Sequence, residues 1–352
     1  MKNINRIFKI ALFAVIASAT FSCSNSDDNN EVVVPKTSIL EIAKANPDLS
    51  ILVAAIKKTG LDNPGASPLS TAGSYTVFAP TNAAFLSSTP FTLESINALT
   101  APADNATIAA LKQVVLNHIL SGGVRSDDFV TGYVKTFATG SGSSMSMYIS
   151  KTGNDVVLNG GATNKGGKVT TANISASNGI IHVVDKVILL PTLVTMAKAN
   201  PDFSTLVAVL SGTATVPGTF GDQSVVLGAL VAATSAAPLT VFAPVNAAFT
   251  TATTGTGFLT PAGVVNQVNV EKVLKYHVQD MNKLATSATA YSAADVTVTT
   301  LLTQKFFIAK NTVKITELPA VTGLVPSNIK VVNVQTSNGV IHAIDRVLQP
   351  VL

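Results

Sequence analysis

The chain contains four histidines, and their spacing raises a chemical question. His118 and His182 lie 64 residues apart, and His277 and His342 lie 65 apart. Three residues after the second member of each pair comes an aspartate, Asp185 or Asp345. Imidazole is the commonest metal ligand and the side chain that titrates nearest neutrality. A His/His/Asp metal centre is therefore the first chemistry to weigh. The spacing argues against it, because no HxH or HxxxH pattern presets two ligands and no glutamate accompanies them. His182 and Asp185 are also an odd number of residues apart. A regular strand projects them to opposite faces, and only a bulge would join them. His118 falls at helical spacing with Ile108, Leu111 and Val115, and His277 with Val270, Val273 and Leu274. A histidine on an apolar helix face reads as part of the core, its ring nitrogens satisfied by backbone or hydroxyl groups.

Other catalytic devices are missing from the sequence. There is no GxSxG elbow, phosphate-binding loop or dinucleotide glycine pattern. GSGSSMS (140–146) and NGGATNKGG (159–167) are glycine-rich, but neither has a lysine and helix start in phosphate-cradling register. They read as hairpin loops or flexible surface. Asp127-Asp128 and Asp27-Asp28 are adjacent carboxylates, most simply solvated and not calcium ligands. Asn82 and Asn246 read as local backbone hydrogen-bonders. No catalytic, cofactor-binding or metal-binding residue is assigned, and no cofactor is expected.

The elements that carry these residues recur along the chain. ANPDLS (45–50) returns as ANPDFS (199–204), and TVFAPTNAAF (76–85) as TVFAPVNAAF (240–249). LKQVVLNHIL (111–120) returns as EKVLKYHVQD (271–280), and SNGIIHVVDKVILLP (177–191) as SNGVIHAIDRVLQP (337–350). The offsets are 154, 164, 159 (aligned on His118 and His277) and 160 residues, which is the pattern of duplicated domains with loop insertions. Within each copy, Asn46-Pro47 suits a helix start and Gly60 a helix stop. TVFAP reads as a short buried strand ended by proline, with Thr81 or Asn82 capping the next helical turn. Asn178-Gly179 and Asn338-Gly339 predict type I′ turns into a central strand that is apolar on both faces.

Three of these blocks, in this order and twice over, resemble the fasciclin-like (FAS1) family across almost all of the chain after its N-terminal leader. The motif residues are Asn82, His118, His182 and Asp185 in the first copy. In the second they are Asn246, Tyr276, His277, His342 and Asp345. The first copy departs from the family's Tyr-His pair, since Asn117 precedes His118. The resemblance implies an α+β fold, a twisted β-sandwich or wedge with several helices packed on it. The expected boundaries are 37–191 for the first domain and 192–352 for the second.

Residues 1–22 combine a basic start, the apolar run Ile10–Ala17 and small residues before Cys23, the pattern of a secretory signal. The apolar run is too short to span a bilayer. Cys23 is the only cysteine, and at this place it is expected to be lipidated after cleavage just before it. The stretch resembles a bacterial lipoprotein signal in the looser form seen in Bacteroidota, where acidic residues after the cysteine accompany display on the outer face of the outer membrane. It departs from the commonest form at Thr20 and Phe21. Residues 23–36 read as a tether.

Composition is 47 % hydrophobic and 12 % charged, with 23 Gly and no Trp, so the polar surface rests mostly on Ser, Thr, Asn and Gly. Net charge is +4, and falls to about +1 once residues 1–22 are removed. That leaves no basic field for nucleic acid. The resemblance implies an adhesion or interaction protein, not an enzyme, that is exported and anchored to the outer membrane through Cys23. Its partner would be an extracellular protein or glycan, and its oligomeric state is not encoded. The alternative is a periplasmic or surface hydrolase, or a glycan-capturing accessory protein of a polysaccharide-uptake system. The absence of Trp weakens the glycan version.

Overall fold

The computed structural model of the chain describes residues 37–65, 67–69, 71–140, 143–211, 224–251, 267–281, 296–309, 314–317 and 326–351. The signal segment, Cys23, Asp27-Asp28 and the tether lie outside them. The first half opens with α1 (Ile39–Ala45), a 3₁₀ turn (Pro47–Leu49) and α2 (Ser50–Lys58). Ser38 caps α1 in a reciprocal capping box with Glu41, and Asn46 caps the 3₁₀ turn ahead of Pro47. The end of α2 is a Schellman motif. Gly60 takes φ +68°, its N–H bonds Lys57 O at 3.1 Å, and Leu61 N–H bonds Ile56 O at 3.0 Å.

The first sheet follows. Its elements are β1 (Tyr75–Pro80), α3 (Asn82–Ser88), α4 (Leu93–Ala98), α5 (Asn105–Leu116), β2 (Ile119–Ser121) and β3 (Gly132–Gly140). Then come β4 (Ser143–Thr152), β5 (Asp155–Leu158), β6 (Gly167–Ala176) and β7 (Gly179–Val184). Each strand pairs with its neighbour in sequence, and β7 returns parallel to β1, which closes the seven strands into a barrel. The second half repeats the strand order, with a third helix before its first strand and two described helices between its first and second strands. It runs α6 (Leu193–Ala199), α7 (Ser204–Leu210), α8 (Ser224–Ala232), β8 (Leu239–Pro244), α9 (Asn246–Thr251), α10 (Gln267–Tyr276) and β9 (Val278–Gln279). It ends with β10 (Val296–Thr299), β11 (Lys305–Ile308), β12 (Lys314–Glu317), β13 (Ser327–Gln335) and β14 (Gly339–Ile344). Here too the last strand, β14, lies parallel to the first, β8, in a seven-stranded sheet. The expected α+β architecture is thus present twice.

The two-residue period of β1 divides each half into two cores. Val77 and Ala79 face the helices, in a core with Leu52, Ile56, Leu111, Val115 and Ile181. Phe78 points the other way, into the barrel, with Leu120, Phe129, Met147, Ile149 and Val184. The second half repeats this division, with Val241 and Ala243 on the helix side and Phe242 among Tyr276, Phe306, Ile308 and Ile344.

The predicted type I′ turns are absent. The two-residue connection from β6 to β7 is Ser177-Asn178, with Ala176 paired to Gly179, and Asn178 does not take a positive φ. The glycine has another reason to be there. At Gly179 a Cβ would sit 2.0 Å from Tyr75 O, and at Gly339 2.1 Å from Leu239 O. Only glycine lets the last strand enter beside the first. NGGATNKGG is the hairpin loop between the antiparallel strands β5 and β6, one of the two readings of it. It holds a 3₁₀ turn at Ala162–Asn164, and Asn159 is fully buried.

The halves meet along a seam. Tyr148 of β4 packs in the same core as Leu193, Met196, Phe203 and Ile341 of the second half. Tyr133 of β3 crosses it edge-on, with ring centroids 5.0 Å apart. Ser146 Oγ, buried, accepts from Gln335 N at 3.1 Å. At the rim, Lys135 Nζ donates to Asn333 O at 2.7 Å, and Asn164 Nδ2 donates to Thr195 O at 2.8 Å.

Candidate functional site

His118 lies one residue past the C-cap of α5, not on the helix itself. Its Nε2 accepts from Ile188 N at 2.9 Å, so Nδ1 carries the proton and donates to Val114 O at 2.7 Å. His277 repeats this after α10, accepting from Leu348 N at 2.9 Å and donating to Val273 O at 2.7 Å. Each ring thus ties the end of a helix to the segment that leaves the last strand. Burial lowers both pKa values to about 4, only partly offset by the backbone bond. The residue before each histidine ties the helix end to a different element in each half, the segment after β7 in the first and β11 in the second. Asn117 Nδ2 reaches Ile188 O and Leu189 O, whereas Tyr276 Oη donates to Lys305 O at 2.9 Å.

His182 and His342 are fully buried on the barrel side of the sheet, each beside a phenylalanine of the parallel partner strand. His182 has the opposite tautomer to His118. Its Nδ1 accepts from Asn173 N at 3.3 Å and its Nε2 donates to Val124 O at 2.9 Å. Asn173 sits at φ +65° in a bulge of β6, and Asn333 at φ +59° in the matching bulge of β13 donates to His342 Nδ1 at 3.3 Å. Burial lowers the His182 pKa, with the Val124 bond opposing. His118 and His182 therefore lie on opposite faces of the sheet, each tied to separate backbone groups.

Asp185 and Asp345 turn away from the histidines. Asp185 Oδ1 accepts from Lys168 N at 2.7 Å and ties the start of β6 to the end of β7. Asp345 does likewise with Asn328 N and Nδ2, both at 2.7 Å, and pairs with Lys330 at 3.3 Å. Burial raises its pKa, but the Asn328 and Lys330 bonds outweigh that and leave it lowered. Among the described residues no three His, Cys, Asp or Glu side chains cluster as metal ligands would.

The asparagines act over long range, which corrects the local reading of Asn82 and Asn246. Asn82 Oδ1 accepts from Ile51 N at 2.9 Å, and its Nδ2 donates to Pro47 O and Ser50 Oγ. Asn246 makes the same three bonds to Thr205, Pro201 and Ser204. Thr81 is the helix cap. By sequence Asn178 and Asn338 are turn residues alone. Asn178 Oδ1 accepts from Ile39 N at 2.9 Å, and Asn338 Oδ1 from Leu193 N at 2.8 Å, satisfying an orphan N–H at the start of α1 and of α6. Their signal in the sequence was the repetition of SNG itself.

Cavities add little chemistry. An apolar space of about 30 Å³ lies under α6, α7 and α8, and one of about 10 Å³ at the matching place in the first half. Both are far below the several hundred Å³ of a small-molecule pocket (roughly 300–1,000 Å³). A shallow open groove of about 510 Å³ between α2 and α4 carries Lys57 and Lys58. Lys58 Nζ is already bonded to Asn97 O and Leu99 O, where it caps α4.

The model of the fasciclin domain matches residues 47–191 and 201–350. Protein sll1483 of Synechocystis sp. is 35 % identical over 153 residues, which cover 44 % of this chain and 73 % of that protein. Immunogenic protein MPB70 of Mycobacterium bovis is 30 % identical over 157 residues, 42 % of this chain and 67 % of its own. The solved structure of a FAS1 domain pair from the insect cell adhesion molecule Fasciclin I aligns over 84 % of this chain and 97 % of that chain, at 18 % identity and a TM-score of 0.49.

Proposed function

Because the chain belongs to the fasciclin domain family, with one match in each half, we propose that it is a surface adhesion or interaction protein. In this reading it is exported, held at the outer membrane by a lipid on Cys23, and binds an extracellular protein or glycan without turning it over. One observation supports it above the others. The motif side chains shared by the two halves are bonded into the fold. His118 and His277 clamp helix ends, His182 and His342 receive the bulges, Asn82 and Asn246 clamp the first helices, and Asp185 and Asp345 join strand ends. The repeated motif thus specifies a scaffold, and recognition falls to the exposed loops and faces that differ between the halves.

The test is to incubate the delipidated protein with arrayed matrix proteins and glycans, and to follow both retention and product formation. Saturable retention with intact partner is expected, and turnover of any arrayed partner would overturn the reading. The anchor has its own test. Cys23→Ser should move the protein from the membrane fraction to the soluble fraction, and unchanged membrane retention would remove lipidation from the proposal.

A further inference from the structure

We infer that the two halves form one rigid, cooperatively unfolding body, locked by seam side chains that the repeat does not otherwise encode. The register of the sheets shows which positions correspond. Met147 and Ile149 of β4 point into the first barrel core, as Phe306 and Ile308 of β11 point into the second. Tyr148 therefore corresponds to Phe307, and Ser146 to Lys305. Across the ladder, Tyr133 pairs with Tyr148 as Thr297 pairs with Phe307, and Lys135 pairs with Ser146 as Thr299 pairs with Lys305. Tyr133, Lys135, Ser146 and Tyr148 have thus all diverged.

The receiving side has diverged as well. At the 154-residue offset Thr195, buried at 3 %, corresponds to the exposed Glu41. At the 160-residue offset Gln335 and Thr336, both at 0 %, correspond to Ser175 and Ala176. A lysine at the Ser146 position would replace a buried acceptor with a charge. A glutamate at the Thr195 position would desolvate a carboxylate.

Three kinds of contact hold the seam. Tyr148 fills the second half's core, which makes it an apolar anchor rather than a surface touch. Burial raises the pKa of both Tyr133 and Tyr148, as expected for phenols removed from water. The Ser146–Gln335 bond is buried, so it is made out of competition with water. Close packing completes the fit, for a Cβ at Gly140 would lie 2.8 Å from Thr336 O. The connecting segment is also strapped down. Ile188 is held by His118 and Asn117, and Leu189 N bonds Lys165 O at 3.1 Å. Tandem modules on a slack linker gain avidity by sampling many separations. Here the two faces would be offered at a single separation and angle.

The experiment needs no ligand, so its failure is distinct from failure of the adhesion reading. In the full chain carrying Cys23→Ser, spin labels are placed through Glu94→Cys and Lys330→Cys, one exposed position in each half. A single narrow distance distribution and one calorimetric transition are expected. A broad distribution, or two transitions in this otherwise unaltered protein, would overturn the inference. Tyr148→Ala and Ser146→Lys should broaden the distribution and split the transition, whereas Phe307→Ala, at the matching position of the second half, should do neither. Retention of the narrow distribution and the single transition in both seam variants would overturn the assignment of the lock to these residues.

Discussion

Protonation of His118 must break its bond from Ile188, because the same nitrogen cannot both accept and carry a proton. With folded pKa values of about 4 for His118 and His277 and an ordinary value of about 6.5, the unfolded chain takes up these protons first. Stability is therefore level above the ordinary value, falls as pH drops from about 6.5 to about 4, and levels again below that. The loss is about 3 kcal/mol for each imidazole. Urea unfolding at pH 7, 6 and 5 should show the midpoint falling while most carboxylates are still ionised, and a flat midpoint would contradict the neutral, buried state. Asn178→Ala should cost about 1–3 kcal/mol, because it leaves the buried Ile39 N–H unpaired. Asn338→Ala should cost more, since Asn338 Nδ2 also reaches Leu230 O at 3.0 Å. Paired denaturation curves of the two variants check both the sign and the order. At this scale the apolar helix face made the burial of His118 legible in the sequence. The identity of its partner, 70 residues on, was not, because spacing encodes the neighbours within a helix and not those across a fold.

Elements were legible where period and punctuation agreed. NPDLS gave a capped 3₁₀ turn and helix, Gly60 ended α2, and the apolar run after each SNG became a strand flanked on both sides. The turn type was misread because the glycine answers to the backbone of β1 rather than to the hairpin. Gly179→Ala should accordingly abolish folding or shift β7 away from β1, seen as loss of the cooperative transition and of the native amide spectrum. The connection from β10 to β11 is a three-residue loop, Leu301-Leu302-Thr303, closed by the Thr300 N–H to Gln304 O bond at 3.0 Å. Thr303 occupies the left-handed position at φ +66°, where a β-branched side chain is strained and glycine is preferred. Thr303→Gly should stabilise the protein by about 1 kcal/mol, read as a rise in Tm. A fall in Tm would show that this loop is not strained.

For the molecule as a whole, the repeat offsets gave the duplication and the resemblance gave its architecture, but the seam was invisible in sequence. Tyr133, Ser146 and Tyr148 read as ordinary alternating strand residues until the second half is placed against them. Truncating Tyr148 to alanine should cost about 3–5 kcal/mol in total, the range for removing a large aromatic from a core. That cost should appear in the melting of the second half although the residue belongs to the first. Every strand of the first barrel lies within residues 75–184, so the barrel closes without residues 192–352, and the second half then has a formed surface to condense against. Maturation is thereby given a direction. A leading unit from this chain joined to a trailing unit from elsewhere would have no matching surface to close upon.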